Sequence, residues 1–365
     1  MDQPLRESLI RLAEALIDQK AARTLVWPQE RREGFWFGGG DMIQDSDGTF
    51  LLAGRHRVFG DSRTGVGAGE RGKELAIYQS SAFDQPFEKV KVFKKEDVAT
   101  TDEAVVSIEG VSLLAHDGQI ELYVSTEKDR PYPEGLIDYR KPGTGVWSID
   151  VMSAANVASL EAGSARSAIR SDKPSWLHAK DPAVHVDSAG RKNMIFCSHP
   201  FSWSSSNPAL ARFEDGSWTI AEETILERGP VWDVAATRIT DRLSVPRLGA
   251  LRDLPPLSLY FYDGAECLRP HEQSERAIAR PRGWSCEEIG GLAWGYDEAF
   301  PAMERLSVDR PFFTSPFGTG CSRYVSTLVT GDEIAASWQQ SQEDLCQPLV
   351  GHSLPLEQVE QILAG

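Results

Sequence analysis

Four acidic residues head similar stretches of the chain, roughly 50 to 70 residues apart. They are Asp41 in Asp41-Met-Ile-Gln-Asp-Ser-Asp-Gly, Glu109 in Glu109-Gly-Val-Ser-Leu-Leu-Ala, Asp181 in Asp181-Pro-Ala-Val-His-Val, and Asp233 in Asp233-Val-Ala-Ala-Thr-Arg-Ile. Each precedes a short apolar stretch, and in the first three a turn and a second β-type run follow. Carboxyl groups brought together raise one another's pKa, so that one can hold a proton while another stays ionised. That is the equipment of general acid–base chemistry. The plain alternatives are a turn-capping Asp41 after three glycines, an Asp-Pro turn at Asp181, and charged strand ends at Asp233 and Glu109.

Other groups stand beside these acids. Trp36 and Phe37 precede Asp41, Trp176 and His178 precede Asp181, and Trp232 abuts Asp233. Flat aromatic faces suit sugar rings, although core packing explains tryptophans equally well. Arg55-His56-Arg57, with Arg63 and Arg71 nearby, has the chemistry to recognise a carboxylate or sulfate, or simply to pair with surplus surface acids. Arg323 and Glu288 read as contacts from the last part of the chain, with a structural ion pair as the alternative for Arg323. His178 and His185 flank Asp181, the one place for a central structural divalent ion, but no HxxxH spacing supports a zinc centre and no cofactor is implied. Gly65-Val-Gly-Ala-Gly69 lacks the frame of a phosphate loop, and no Gly-x-Ser-x-Gly elbow is present.

The elements that must carry these residues are mostly strands. Short apolar or alternating runs such as Thr49 to Ala53, Leu75 to Gln79, Ile120 to Ser125 and Asn193 to Ser198 are separated by turn residues. Helical spacing is confined to the ends: Leu5, Leu9, Leu12 and Leu16 in residues 1–23, and Leu356, Val359 and Leu363 in residues 353–365. Four repeats plus the stretch from Glu288 onward predict one all-β domain over residues 1–365, a five-bladed β-propeller with the two short helices packed outside. Inner strands of a propeller converge on a channel, so acids at their starts would form a ring at one mouth.

Composition sets the partners. The 365 residues carry 38 Lys and Arg against 54 Asp and Glu, a formal charge of −16, which opposes nucleic acid binding. No apolar run is long enough for a membrane span, and the N-terminus has no signal-peptide core. A cytoplasmic protein is expected, or an exported one if a leader precedes this sequence. Five widely spaced cysteines without a CxxC pair predict reduced thiols. The oligomeric state is left open.

Gly38-Gly-Gly-Asp41 opening a strand–Asp-Gly–strand hairpin, Lys180-Asp181-Pro182, and the run Arg71 to Ser80, in that order, resemble the five-bladed β-propeller glycoside hydrolases of families 43, 62, 32 and 68. The resemblance covers about Gly38 to Gln340 as a pattern. It implies three carboxylates from different blades acting on a glycosidic bond of an oligosaccharide or glycoside. Asp41 would then be base or nucleophile, and Asp181 the orienting, pKa-tuning partner. Asp233 is the first choice of proton donor and Glu109 the second, with Glu287 and Glu288 also open. The donor slot in these families is normally Glu, whereas Asp233 aligns best. The sucrose-type opening of family 32 is absent, so fructan specificity is not implied. Two alternatives remain: a polysaccharide lyase with His56, His178 or Tyr78 abstracting a proton, and a non-catalytic carbohydrate-binding propeller. The carboxylates differ from blade to blade, which favours a single asymmetric site.

Overall fold

The computed structural model describes residues 3–57, 72–140, 143–267 and 288–364. The chain opens with helix α1 (Gln3–Leu16) and strand β1 (Arg23–Val26). Four meanders of four strands follow. They are β2 to β5 (Trp36–Gln44, Phe50–Arg57, Glu74–Ser80, Glu88–Lys94) and β6 to β9 (Val105–His116, Gln119–Lys128, Val146–Ala154, Arg166–Ile169). Next come β10 to β13 (His178–Val186, Lys192–His199, Asn207–Glu214, Ser217–Glu222) and β14 to β17 (Ala236–Ser244, Leu257–Ala265, Ile289–Tyr296, Glu304–Arg305). The last sheet pairs β18 (Ser322–Val329), β19 (Glu333–Gln340) and β20 (Leu349–Pro355) with β1. Five antiparallel four-stranded sheets therefore form a five-bladed propeller, and the fifth blade is completed by the N-terminal strand. Helix α2 (Leu356–Ala364) ends the chain beside α1.

Apolar alternation makes these strands, and their buried faces fill the wedges between blades. Leu51, Ile77 and Phe93 of blade 1 meet Ile108, Leu113 and Leu122 of blade 2. Met194 and Phe196 of blade 3 meet Tyr123 and Ile149 of blade 2, and Ile195 and Leu210 meet Ile239 and Tyr260 of blade 4. Leu9, Leu12 and Leu16 of α1 and Val359 and Leu363 of α2 extend the wedge between blades 4 and 5. Burying each such side chain contributes about 1.5–3 kcal/mol.

One irregularity recurs in all five inner strands. The register against the second strand shifts between Gly38 and Asp41, Ile108 and Val111, Lys180 and Ala183, Ile239 and Asp241, and Arg323 and Ser326. Each inner strand thus carries one residue more than its partner, a β-bulge that re-aims side chains. Gly39, Asp181 and Tyr324 sit at the bulge with φ of 67°, 50° and 55°. Pro182 is tolerated there because a bulge residue has no ladder bond to donate.

The helix at the N-terminus stops at Leu16, and Arg23 already belongs to β1. Cys267 is disulfide-bonded, against the expectation of thiols throughout, while Cys197, Cys321 and Cys346 are free and buried.

Candidate active site

Because neighbouring strands are antiparallel, the start of each inner strand lies beside the end of the second strand. Trp36 pairs with Arg57, Gly38 with Arg55, and Arg238 with Asp263. These two sets of strand ends build one mouth of the channel, and charged residues crowd it. The Glu109 carboxylate is bound by Arg55, with Arg57 Nη1 at 3.6 Å and Lys180 Nζ at 3.9 Å. Asp181 accepts from Arg238 Nη1 at 3.0 Å and from the Gly110 N–H at 3.1 Å. Its own N–H donates to Ser125 Oγ at 2.7 Å. Arg238 also reaches Asp263 at 2.7 Å and Glu288 at 2.9 Å, and Glu288 is bound in turn by Arg323. The Tyr324 N–H donates to Asp263 at 3.1 Å, and the Arg238 guanidinium lies 4.2 Å from the Tyr324 ring centre.

One step further along the channel, past the bulges, stand two more carboxyls. Asp41 accepts from Ser112 Oγ (2.7 Å), Leu113 N–H (3.1 Å), Ser326 Oγ (2.8 Å) and Met42 N–H (2.8 Å). Asp241 accepts from the Thr327 N–H at 2.9 Å and from its hydroxyl. Asp181 and Asp41 both lean on β6, at Gly110 and at Ser112–Leu113. Two or three residues of strand, roughly 7–10 Å, separate those contacts.

Proton affinity differs from carboxyl to carboxyl. Burial alone would raise Glu109, but Arg55, Lys180, Arg57 and Arg323 together hold it well below the usual carboxylate range. Glu288 likewise resists burial because Arg238 and Arg323 hold it well below that range. In the second tier burial wins. Asp41 is pushed up despite its four donors, and Asp241 is pushed up to about 7 by burial and by Asp41. Asp263 rises to about 6, through burial only partly offset by Arg238.

Several expected site residues lie elsewhere. Asp233, expected as proton donor, precedes β14 by three residues and so misses the mouth; Tyr262 Oη and Arg305 Nε hold it at 2.9 and 3.0 Å. Trp232 stacks on Tyr262 and donates to the Ser307 carbonyl, and Trp176 packs against Phe196, both within interblade cores. His56 bonds to Tyr78 at 3.0 Å inside blade 1, and burial lowers its pKa to about 4. His178 bonds to Tyr132 and accepts from the Trp147 N–H, whereas His185 packs on Phe300, so the two do not converge on an ion. Among the described residues no group of three or more His, Cys, Asp or Glu is placed to hold a metal. Glu287, Arg63, Arg71 and Gly65–Gly69 lie outside the described residues. Trp36 does reach the mouth, between the guanidinium groups of Arg323 (4.7 Å) and Arg57 (5.2 Å).

The sequence reading did not single out Asp263, Arg238, Tyr324 or Asp241. Asp263 looks like half of an Asp-Gly turn, and Arg238 like an ordinary strand residue. The available signal is the bulge itself: aligning Gly39, Glu109, Asp181, Ile239 and Tyr324 as one position puts Asp241 level with Asp41. Cys197 contacts His199 Nε2 at 3.2 Å, which has the look of a nucleophilic pair. Burial and then Asp181 push its thiol up to about 12, so it stays protonated.

No family model and no curated relative matches this chain. Solved structures do. A glycoside hydrolase superposes with TM-score 0.61 at 11% identity, covering 97% of this chain and 95% of its own. The β-xylosidase RS223 gives 0.53 at 12%, covering 92% and 95%, and a native Bacillus subtilis arabinanase gives 0.51 at 10%, covering 92% and 98%. At such identities the likeness speaks to backbone shape, and it shows this chain to have the five-bladed β-propeller fold found in glycoside hydrolases, family 43 among them.

Proposed function

We propose that this chain is a glycoside hydrolase working in the channel, with Asp41 holding the proton, Glu109 ionised, and Asp181 orienting substrate between them. The observation that carries the reading is the opposite setting of two carboxyls on adjacent inner strands: Asp41 is pushed up and Glu109 is held down. Carboxyls whose environments drive their pKa values apart supply the acid and the base of glycosidic cleavage. This departs from the sequence expectation, in which Asp41 is base or nucleophile, Asp233 the first choice of proton donor and Glu109 the second. The fold likeness to glycoside hydrolases supports the same class. The lyase alternative loses support because His56 and Tyr78, two of its candidate bases, bond to each other within blade 1.

A leaving-group series on aryl glycosides tests the assignment. Asp41→Asn should keep most turnover on nitrophenyl glycosides, whose leaving group needs no proton, and lose roughly 100-fold or more on alkyl glycosides. Glu109→Gln should lose activity on both. Loss on both by Asp41→Asn would return it to the base role. Unchanged turnover in both variants would sink the hydrolase reading.

A further inference from the structure

The charges at the mouth are not matched one to one. Asp181, Asp263 and Glu288 share Arg238 and Arg323, which leaves three acids around two bases on that side. On the other side, among the described residues, the Glu109 carboxylate is shared by Arg55 and Lys180, with Arg57 Nη1 3.6 Å away. In a chain with 16 surplus acids, Arg55 and Lys180 thus share one carboxylate among the described residues.

Arg55 is the sharpest case. It is 1% exposed, and among the described residues its Nε and Nη1 have no hydrogen-bond partner. Burying guanidinium N–H groups without acceptors is costly, and an oxyanion presenting two oxygens is the acceptor that fits their planar fork. The bulge ring lacks a side chain beside these groups. Blades 2, 3 and 5 bring Glu109, Asp181 and Tyr324 to the bulge position, but blade 1 brings Gly39, with no side chain. A Cβ at Gly39 would sit 3.5 Å from Arg55 Nε. The missing side chain and the unmatched N–H groups therefore coincide. Nearby cations are braced by aromatic faces: Arg57 by Trp36 at 5.2 Å and Lys180 by Trp147 at 4.7 Å.

We infer that the glycan taken up at this mouth carries an oxyanion, a uronate carboxylate or a sulfate ester, and that Arg55, Arg57 and Lys180 read it. The inference rests on the proposed glycan substrate and narrows its class. It makes the cationic side of the mouth a specificity element, with Arg55 as the anchor and Arg57 and Lys180 as the charge around it.

Calorimetric titration with methyl glucuronide, a sulfated methyl galactoside, their neutral counterparts and inorganic phosphate tests it. One or both anionic sugars should bind at least about tenfold tighter than the neutral ones in low salt, and the gap should shrink in 0.5 M salt, on the order of a 4 Å Debye length. Which of the two gains identifies the anion. Arg55→Gln should abolish the preference; Arg57→Gln should weaken it and serves if Arg55→Gln does not fold. Equal binding of neutral and anionic sugars overturns the inference, as does phosphate binding tightly with no gain for either anionic sugar. Turnover of neutral aryl glycosides without an anionic preference leaves the hydrolase reading standing and removes this one. An Arg55-dependent preference without any turnover does the reverse.

Discussion

Asp233 shows how a residue can look catalytic from its neighbours and be structural from its partners. Its carboxyl is fully buried, accepts from Tyr262 and Arg305, and lies against Gly229, where any Cβ would come within 1.7 Å of Oδ1. Removing one member of a buried, hydrogen-bonded ion pair strands the other, at a cost of about 3–5 kcal/mol. Asp233→Ala should therefore lose on the order of 3 kcal/mol in urea unfolding. Turnover per folded molecule should stay at the wild-type level. A stable Asp233→Ala with collapsed turnover would restore it as a proton donor. Glu109 reads the other way: its partners are three cations from β3 and β10, a concentration of charge that folding alone does not require.

The element that organises the site is the bulge repeated on every inner strand. Period-two alternation and Asp-Gly turns make the hairpins readable along the chain, which is why the propeller and the positions of Asp41, Glu109 and Asp181 on inner strands were legible. Bulges break that period by one residue, so which tier an acid reaches is hidden: Asp41 lies past the bulge, whereas Glu109 and Asp181 lie on it. The fourth repeat opens at Asp233 in the sequence, but its strand starts three residues later, at Ala236. Half of the mouth comes from the ends of second strands, a hairpin away in sequence, so Asp263 carried no local mark. Strand β1 was invisible because its four residues pair with β20, more than three hundred residues later. Gly110 tests the bulge directly, since a Cβ there would approach Asp181 Oδ1 to 2.3 Å and its Cα to 3.0 Å. Gly110→Ala should keep the β-sheet circular dichroism, lose about 1–3 kcal/mol of stability and reduce turnover at least tenfold by displacing Asp181. Gly331→Ala meets nothing within 4 Å and should match wild type in both. Wild-type turnover in Gly110→Ala would show that Asp181 does not orient substrate.

Across the whole molecule, proton affinities oppose one another along the channel, and that gives stability a defined pH dependence. Asp241 has a folded pKa of about 7 against an ordinary 3.8, so the folded state binds the proton more tightly than the unfolded chain does. Stability from this group is fully present below pH 3.8 and is lost as pH rises through 7. Glu109 and Glu288 act in the opposite sense: held ionised by arginines, they contribute above the ordinary Glu value of 4.5, and that contribution is lost as pH falls toward their depressed folded values. The net charge of −16 adds general self-repulsion at alkaline pH, which salt screens and which a single neutral substitution barely alters. Comparing wild type with Asp241→Asn therefore isolates the channel. The amide cannot ionise, and it keeps a carbonyl oxygen for Thr327. Urea unfolding at pH 5 and pH 8 should find wild type losing stability relative to Asp241→Asn by on the order of 2 kcal/mol between the two. High salt should leave that difference largely in place, because the Asp41–Asp241 pair lies inside the channel. A constant difference across the range would mean that Asp241 titrates as an ordinary carboxyl and that burial beside Asp41 does not hold its proton.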